Sequence, residues 1–108
     1  MKQHRYRITV EHLSDLNGGP SPYNAPLSFE AGNHDDLFRI VEKVRGRGDF
    51  DVETATAFAI GLKLFGEVVM QNRQLPLFEE MGPQFGAFMK KLKQGIKAAE
   101  ADQPASPE

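Results

Sequence analysis

Residues 5–13 read RYRITVEHL, where Tyr6, Ile8, Val10 and His12 alternate with Arg5, Arg7, Thr9 and Glu11. A period of two marks a strand with one wet and one buried face. This stretch decides the fold class, because the apolar pattern from Leu37 onward has the spacing of helices. The run LNGGPSPYNAP, residues 16–26, must be a loop, since its glycines and prolines interrupt any ladder. Leu27, Phe29 and Ala31 then alternate with Ser28 and Glu30, which gives a second short strand. The two strands are expected to pair as an antiparallel hairpin, with Arg5 and Arg7 near Glu30 on the wet side. Such an exposed pair contributes about 0–1 kcal/mol. A two-stranded sheet is marginal in water, so helices are expected to cover its apolar face.

The first helix is expected to be capped by Asn33, with Asp35 and Asp36 in its first turn, where negative charge suits the helix dipole. Leu37, Ile40, Val41 and Val44 follow at helical spacing, and VRGRGD, residues 44–49, ends the helix. Asp51 opens a second helix that runs to about Asn72. Its expected seam is Phe58, Leu62, Phe65 and Val69, flanked by Ala55, Ala59 and Gly66 on one side. Gly61, Leu64 and Val68 lie on the other flank, so the apolar arc exceeds half the circumference. A helix that apolar is either central in its domain or shared with a second subunit. Gly82-Pro83 restarts the chain into a third helix striped by Phe85, Phe88, Met89, Leu92 and Ile96, with Lys90, Lys91, Lys93 and Lys97 around it. Residues 1–97 are expected to form one α+β domain of order β-β-α-α-α. Residues 98–108, acidic and proline-containing, are expected to be a disordered tail.

Composition narrows the function classes. At 108 residues the chain can bury about 65% of the surface its unfolded form exposes. It has no cysteine, which excludes disulfides, thiolate metal sites and a cysteine nucleophile. Residues 1–97 hold 13 basic against 12 acidic side chains, a balance that offers no electrostatic support for nucleic-acid binding. Neither a signal-like N-terminus nor eighteen successive apolar residues occur, so a cytoplasmic protein without membrane contact is expected.

The segments RYRITVEHL, FEAGNHDDLF, GLKLFGEVV and LPLFEEMGPQFGAFMKKLK, in that order, resemble a small bacterial family known as domain of unknown function 3861. The resemblance spans nearly all of the chain except the tail and part of the Gly-Pro loop. It implies a shared fold and carries no activity, cofactor or active site onto these residues.

No chemistry-bearing pattern survives inspection. His4 and His12 share a strand face but stand eight residues apart, roughly 26 Å, too far to share a metal. His34 with Asp35 and Asp36 is better explained by helix capping. Gly18-Gly19 precedes a proline rather than a helix and fails as a phosphate loop. Arg47-Gly48-Asp49 reads as a polar turn. Glu79 and Glu80 point about 100° apart on a helix and fail as a facing acid–base pair. No catalytic, cofactor-binding or metal-binding residue is therefore expected.

Candidate contact residues remain. Ile60 lies within the polar strip of the second helix and Met70 borders it. Residues 74–78, QLPLF, resemble the short motif with which bacterial proteins dock on the replicative sliding clamp, which would engage Gln74, Leu75, Leu77 and Phe78. The competing reading makes Phe78 an anchor of the last helix, seven residues before Phe85 on the same face. The expected role is a non-enzymatic interaction or assembly module that forms a homodimer. The alternatives are a clamp-associated protein using residues 74–78, and a small ligand-binding protein or enzyme using the loop 17–26.

Overall fold

A computed structural model describes residues 2–102. The chain divides after His34 into two compact units, a hairpin and a set of helices. The architecture is α+β, in the order β-β-α-α-α.

In the hairpin, β1 (His4–Val10) pairs antiparallel with β2 (Leu27–Asn33), from His4 opposite Asn33 to Val10 opposite Leu27. Alternation then sorts the side chains. Tyr6–Ala31, Ile8–Phe29 and Val10–Leu27 share one face, while Arg7–Glu30 and Thr9–Ser28 share the other. Glu30 takes Arg5 at 3.1 Å and Arg7 at 3.5 Å, all three side chains more than half exposed. The ladder stops at Val10, two residues short of the His12 limit expected of it. Continued register would set Glu11 against Pro26, which has no N–H to give. The connection is folded tightly. Asp15 Oδ1 accepts from the Asn17 and Gly19 amides at 2.9 and 2.6 Å, and Gly18 takes the left-handed backbone this turn needs, at φ +86°.

In the helical unit, α1 (Leu37–Arg45) is capped by Asp36, whose carboxylate accepts from the Phe38 amide at 3.0 Å. Asn33, the expected cap, is instead the last residue of β2, with a buried side chain. Extended pairing with His4 places Asn33 three residues too early for the role. Asp35 reaches Lys63 at 2.8 Å rather than lying inside the helix. The next helix, α2 (Val52–Gln71), begins as expected: Asp51 accepts from the Thr54 amide at 2.7 Å. A 3-10 turn at Pro76–Phe78 precedes α3 (Met81–Asp102), which carries Pro83 in its first turn. This helix continues past Ala98 to Asp102, and the rest of the expected tail, 103–108, lies outside the described residues.

Among the described residues the buried hydrophobic side chains are Leu37, Val44, Ala55, Ala59, Val69 and Leu92. Val44, Ala55 and Ala59 form the centre, with Ile40, Val41 and Phe58 half-buried around them. The seam of α2 is thus turned from the expected Phe58–Leu62–Phe65–Val69 line toward the two alanines. Small side chains let α1 come close, and the aromatic rings are displaced to the margin, where they reach α3. One long polar side chain fixes the α1–α2 turn. Arg47 pairs with Asp49 at 2.7 Å and donates to the Leu92 carbonyl at 3.5 Å, its guanidinium seated where a side chain at Gly95 would stand. The Arg-Gly-Asp tripeptide is the polar turn its sequence suggests, with Gly48 at φ +84°.

Candidate functional site

Two aromatic clusters line the α2–α3 side of the helical unit. Phe65 meets Phe78 and Phe85 edge-on, with ring centroids 6.5 and 5.7 Å apart. Two turns earlier on α2, Phe58 meets Phe50 at 5.5 Å and Phe88 at 6.1 Å. The absence of a side chain at Gly66 admits the Phe85 ring, whose Cζ lies 3.0 Å from where a Cβ would be. Aromatic contacts of this kind add about 0.5–1.5 kcal/mol each beyond area burial.

The clusters are not closed over. Phe65 is 42% exposed, Val68 51%, Leu77 79% and Phe88 45%. Ala57, Gly61, Leu64, Phe65 and Val68 form an outward strip on α2 that contains no charged residue. A side chain added at Gly61 would meet nothing within 4 Å.

The sequence-derived candidates separate in this setting. Ile60 is half-buried and Met70 is 40% exposed at the far end of α2, so they do not converge on one patch. Gln74 and Leu75 are exposed, and Leu77 points away from the core. Phe78 is half-buried and shares Phe65 with Phe85, which is the same-face placement that seven-residue spacing suggests. The Phe78 amide donates to the Leu75 carbonyl at 3.0 Å, closing the short turn. Glu79 and Glu80 fall between this turn and α3 rather than inside a helix. Phe65, Val68 and Phe88 were not singled out as surface by the apolar periodicity. Their signal is the uncharged outer arc of α2, which the periodicity also fits as core.

Other places with chemical side chains are simpler. His12 bonds the Ser21 hydroxyl at 2.7 Å and meets the Tyr23 ring edge-on, which locks the loop 17–26 to the end of β1. Among the described residues no three His, Asp or Glu side chains gather in a way that would hold a metal ion. An open depression of about 330 Å³ between α1 and α3 is lined by Arg39, Glu42, Lys43, Gly46, Ile96 and Glu100. Its walls mix both signs of charge. The Asp49 carboxyl is held below the usual carboxylate range by its bonds from Arg47, and Asp51 by the bonds it accepts from Thr54. Both shifts have structural causes, a turn and a helix cap. No helix among the described residues is long and apolar enough to cross a membrane.

No curated protein matches this chain. A crystal structure of a protein of unknown function from Pectobacterium atrosepticum is similar, at 46% identity and a TM-score of 0.74. The similarity covers 86% of this chain and 99% of that one. Residues 4–94 match a family described as a domain of unknown function with a solved structure, DUF3861, and the chain belongs to it.

Proposed function

We propose that the chain is a non-enzymatic interaction module that self-associates through its helical unit. The observation that carries this reading is the open aromatic face: Phe65, Val68, Leu77 and Phe88 are each 42–79% exposed on neighbouring elements. Singly exposed apolar residues are ordinary, but a cluster of large ones around an uncharged helical strip marks a contact surface. A second copy of the chain supplies a matching apolar face by symmetry, and two-fold dimers are the commonest assemblies. Sedimentation equilibrium at high micromolar concentration tests the reading. Wild type is expected above the chain mass, and Val68→Glu at a lower mass than wild type with its circular dichroism unchanged. A monomeric wild type would end the proposal.

A second reading rests on Leu75 and Leu77, which point outward next to the exposed Gln74 in QLPLF. These three residues suit docking on a replicative sliding clamp. Phe78, however, is engaged with Phe65, so docking requires the Pro76–Phe78 turn to open. An immobilised clamp should then retain wild type and lose both Gln74→Ala and Leu77→Ala. Retention of neither wild type nor variants removes this reading and leaves the first intact.

A further inference from the structure

The hairpin carries a second and more specific self-association signal. Its sheet has two strands, so among the described residues no strand pairs with the second side of β1. An open edge either is protected by charge, proline or a bulge, or recruits another strand. Within β1 no proline or glycine occurs, its backbone follows a regular register from His4 to Val10, and its charged residues, Arg5 and Arg7, are already engaged with Glu30 on one face.

The order of its side chains is self-complementary. If two β1 strands run antiparallel with Ile8 opposite Ile8 of the second copy, Tyr6 faces Val10 and Arg7 faces Thr9. Arg5 then faces Glu11, which stands one residue beyond the strand and is exposed. Every apolar residue meets an apolar one, and each arginine meets an acid or a hydroxyl. Two symmetric Arg5–Glu11 pairs result. Other two-fold registers fail this test. Centring on Arg7 sets arginine against arginine, and centring on Tyr6 sets Arg5 against Arg7. Centring on Thr9 leaves only Ile8, Thr9 and Val10 of each β1 paired and puts Arg5 opposite Leu13. Like charges directly opposite destabilise a sheet. Strand β2 offers no charge-matched register, because Glu30 is its only charged residue.

We infer that two copies join through their β1 edges, antiparallel and centred on Ile8, into one four-stranded sheet ordered β2-β1-β1-β2. This rests on the reading that the chain self-associates, and it names a contact in the hairpin unit that the helical face does not include. The open apolar face of each hairpin, with Val10 53%, Leu27 67% and Phe29 44% exposed, becomes part of one wider surface in such a sheet. Arg5 already bonds Glu30 at 3.1 Å in its own hairpin, and in the dimer it lies between that carboxylate and Glu11 of the second copy.

The test is a charge swap across the dyad. Arg5→Glu and Glu11→Arg each create two like-charge pairs in a homodimer of this register, and each should dissociate about tenfold more readily than wild type. Mixed together, the two variants restore both opposite-charge pairs, so light scattering with one chain carrying a mass tag should show a heterodimer. Arg7→Glu mixed with Glu11→Arg is the register control: its heterodimer holds one opposite-charge and one like-charge pair, so it should form less readily than that of Arg5→Glu with Glu11→Arg. Circular dichroism of each variant confirms that the exposed charges leave the fold unchanged. A monomeric wild type overturns both this inference and the reading it rests on. A dimeric wild type whose single variants remain equally dimeric overturns the β1 contact alone. Weakened single variants without rescue on mixing overturn the register.

Discussion

Phe78 shows how much of a short motif belongs to the fold. Its ring meets Phe65, and its amide closes the turn begun at Leu75, so truncation removes an aromatic contact and opens a gap beside Phe85. Because Phe78 is only half-buried, Phe78→Ala should cost about 2 kcal/mol, below the roughly 3–5 kcal/mol of a fully buried aromatic. Leu77→Ala, at a position 79% exposed, should change stability by less than about 0.5 kcal/mol. Urea denaturation of the two variants makes the comparison, and equal effects would show that the exposure pattern misidentifies the anchor. Gly48 poses a backbone question instead. At φ +84° it occupies a region that L side chains rarely adopt, so Gly48→Ala should lose about 1 kcal/mol although open space surrounds it. A neutral substitution would mean that the Arg47–Asp49 turn relaxes without cost.

At the scale of elements, the start of α2 couples stability to pH. Hydrogen bonds from Thr54 hold the Asp51 carboxyl below the usual carboxylate range, so the native state binds fewer protons there than the unfolded chain. The stabilisation is therefore fully present above an ordinary aspartate pKa of about 3.9, and it fades as pH falls through the lower native value. Thermal melts from about pH 6 to 2.5 should fall less steeply for Asp51→Asn than for wild type. Parallel curves would show that the ionised carboxyl adds no measurable stability at the cap beyond what an amide supplies. This cap was legible in the sequence, as were both strands, the register face and the proline in the first turn of α3, because each rests on local chemistry. The cap of α1 was not. Asn33, Asp35 and Asp36 all suit that role, and only the length of β2 and the reach of Lys63 toward Asp35 decide among them. Nor was the rotation of α2. Apolar residues cover more than half its circumference, so periodicity leaves the buried side open until the close approach of α1 selects Ala55 and Ala59. The outward side, which carries the candidate contact, inherits the same ambiguity.

For the whole molecule, the buried inventory sets an expectation about how it melts. The buried hydrophobic side chains of the described residues number six, two of them alanines, and all lie in the helices. Small domains with so little interior usually draw further stability from disulfides, metals or assembly. The chain has no cysteine for the first. Assembly is the route proposed above: the helical contact covers apolar surface that is open in a single copy, and the β1 contact pairs an open strand edge. An equilibrium between folded dimer and unfolded monomer then follows mass action, so dilution favours unfolding. The melting temperature of wild type should rise measurably over a hundredfold increase in protein concentration, whereas a variant that cannot associate should melt at one temperature throughout. Val68→Glu combined with Arg5→Glu provides that comparison, since the pair alters both proposed contacts and leaves the Val44–Ala55–Ala59 centre untouched. A wild-type melting temperature independent of concentration, together with a single-chain mass, would mean that six buried side chains and the half-buried aromatic margin suffice alone. The exposed phenylalanines would then need a partner of a different kind.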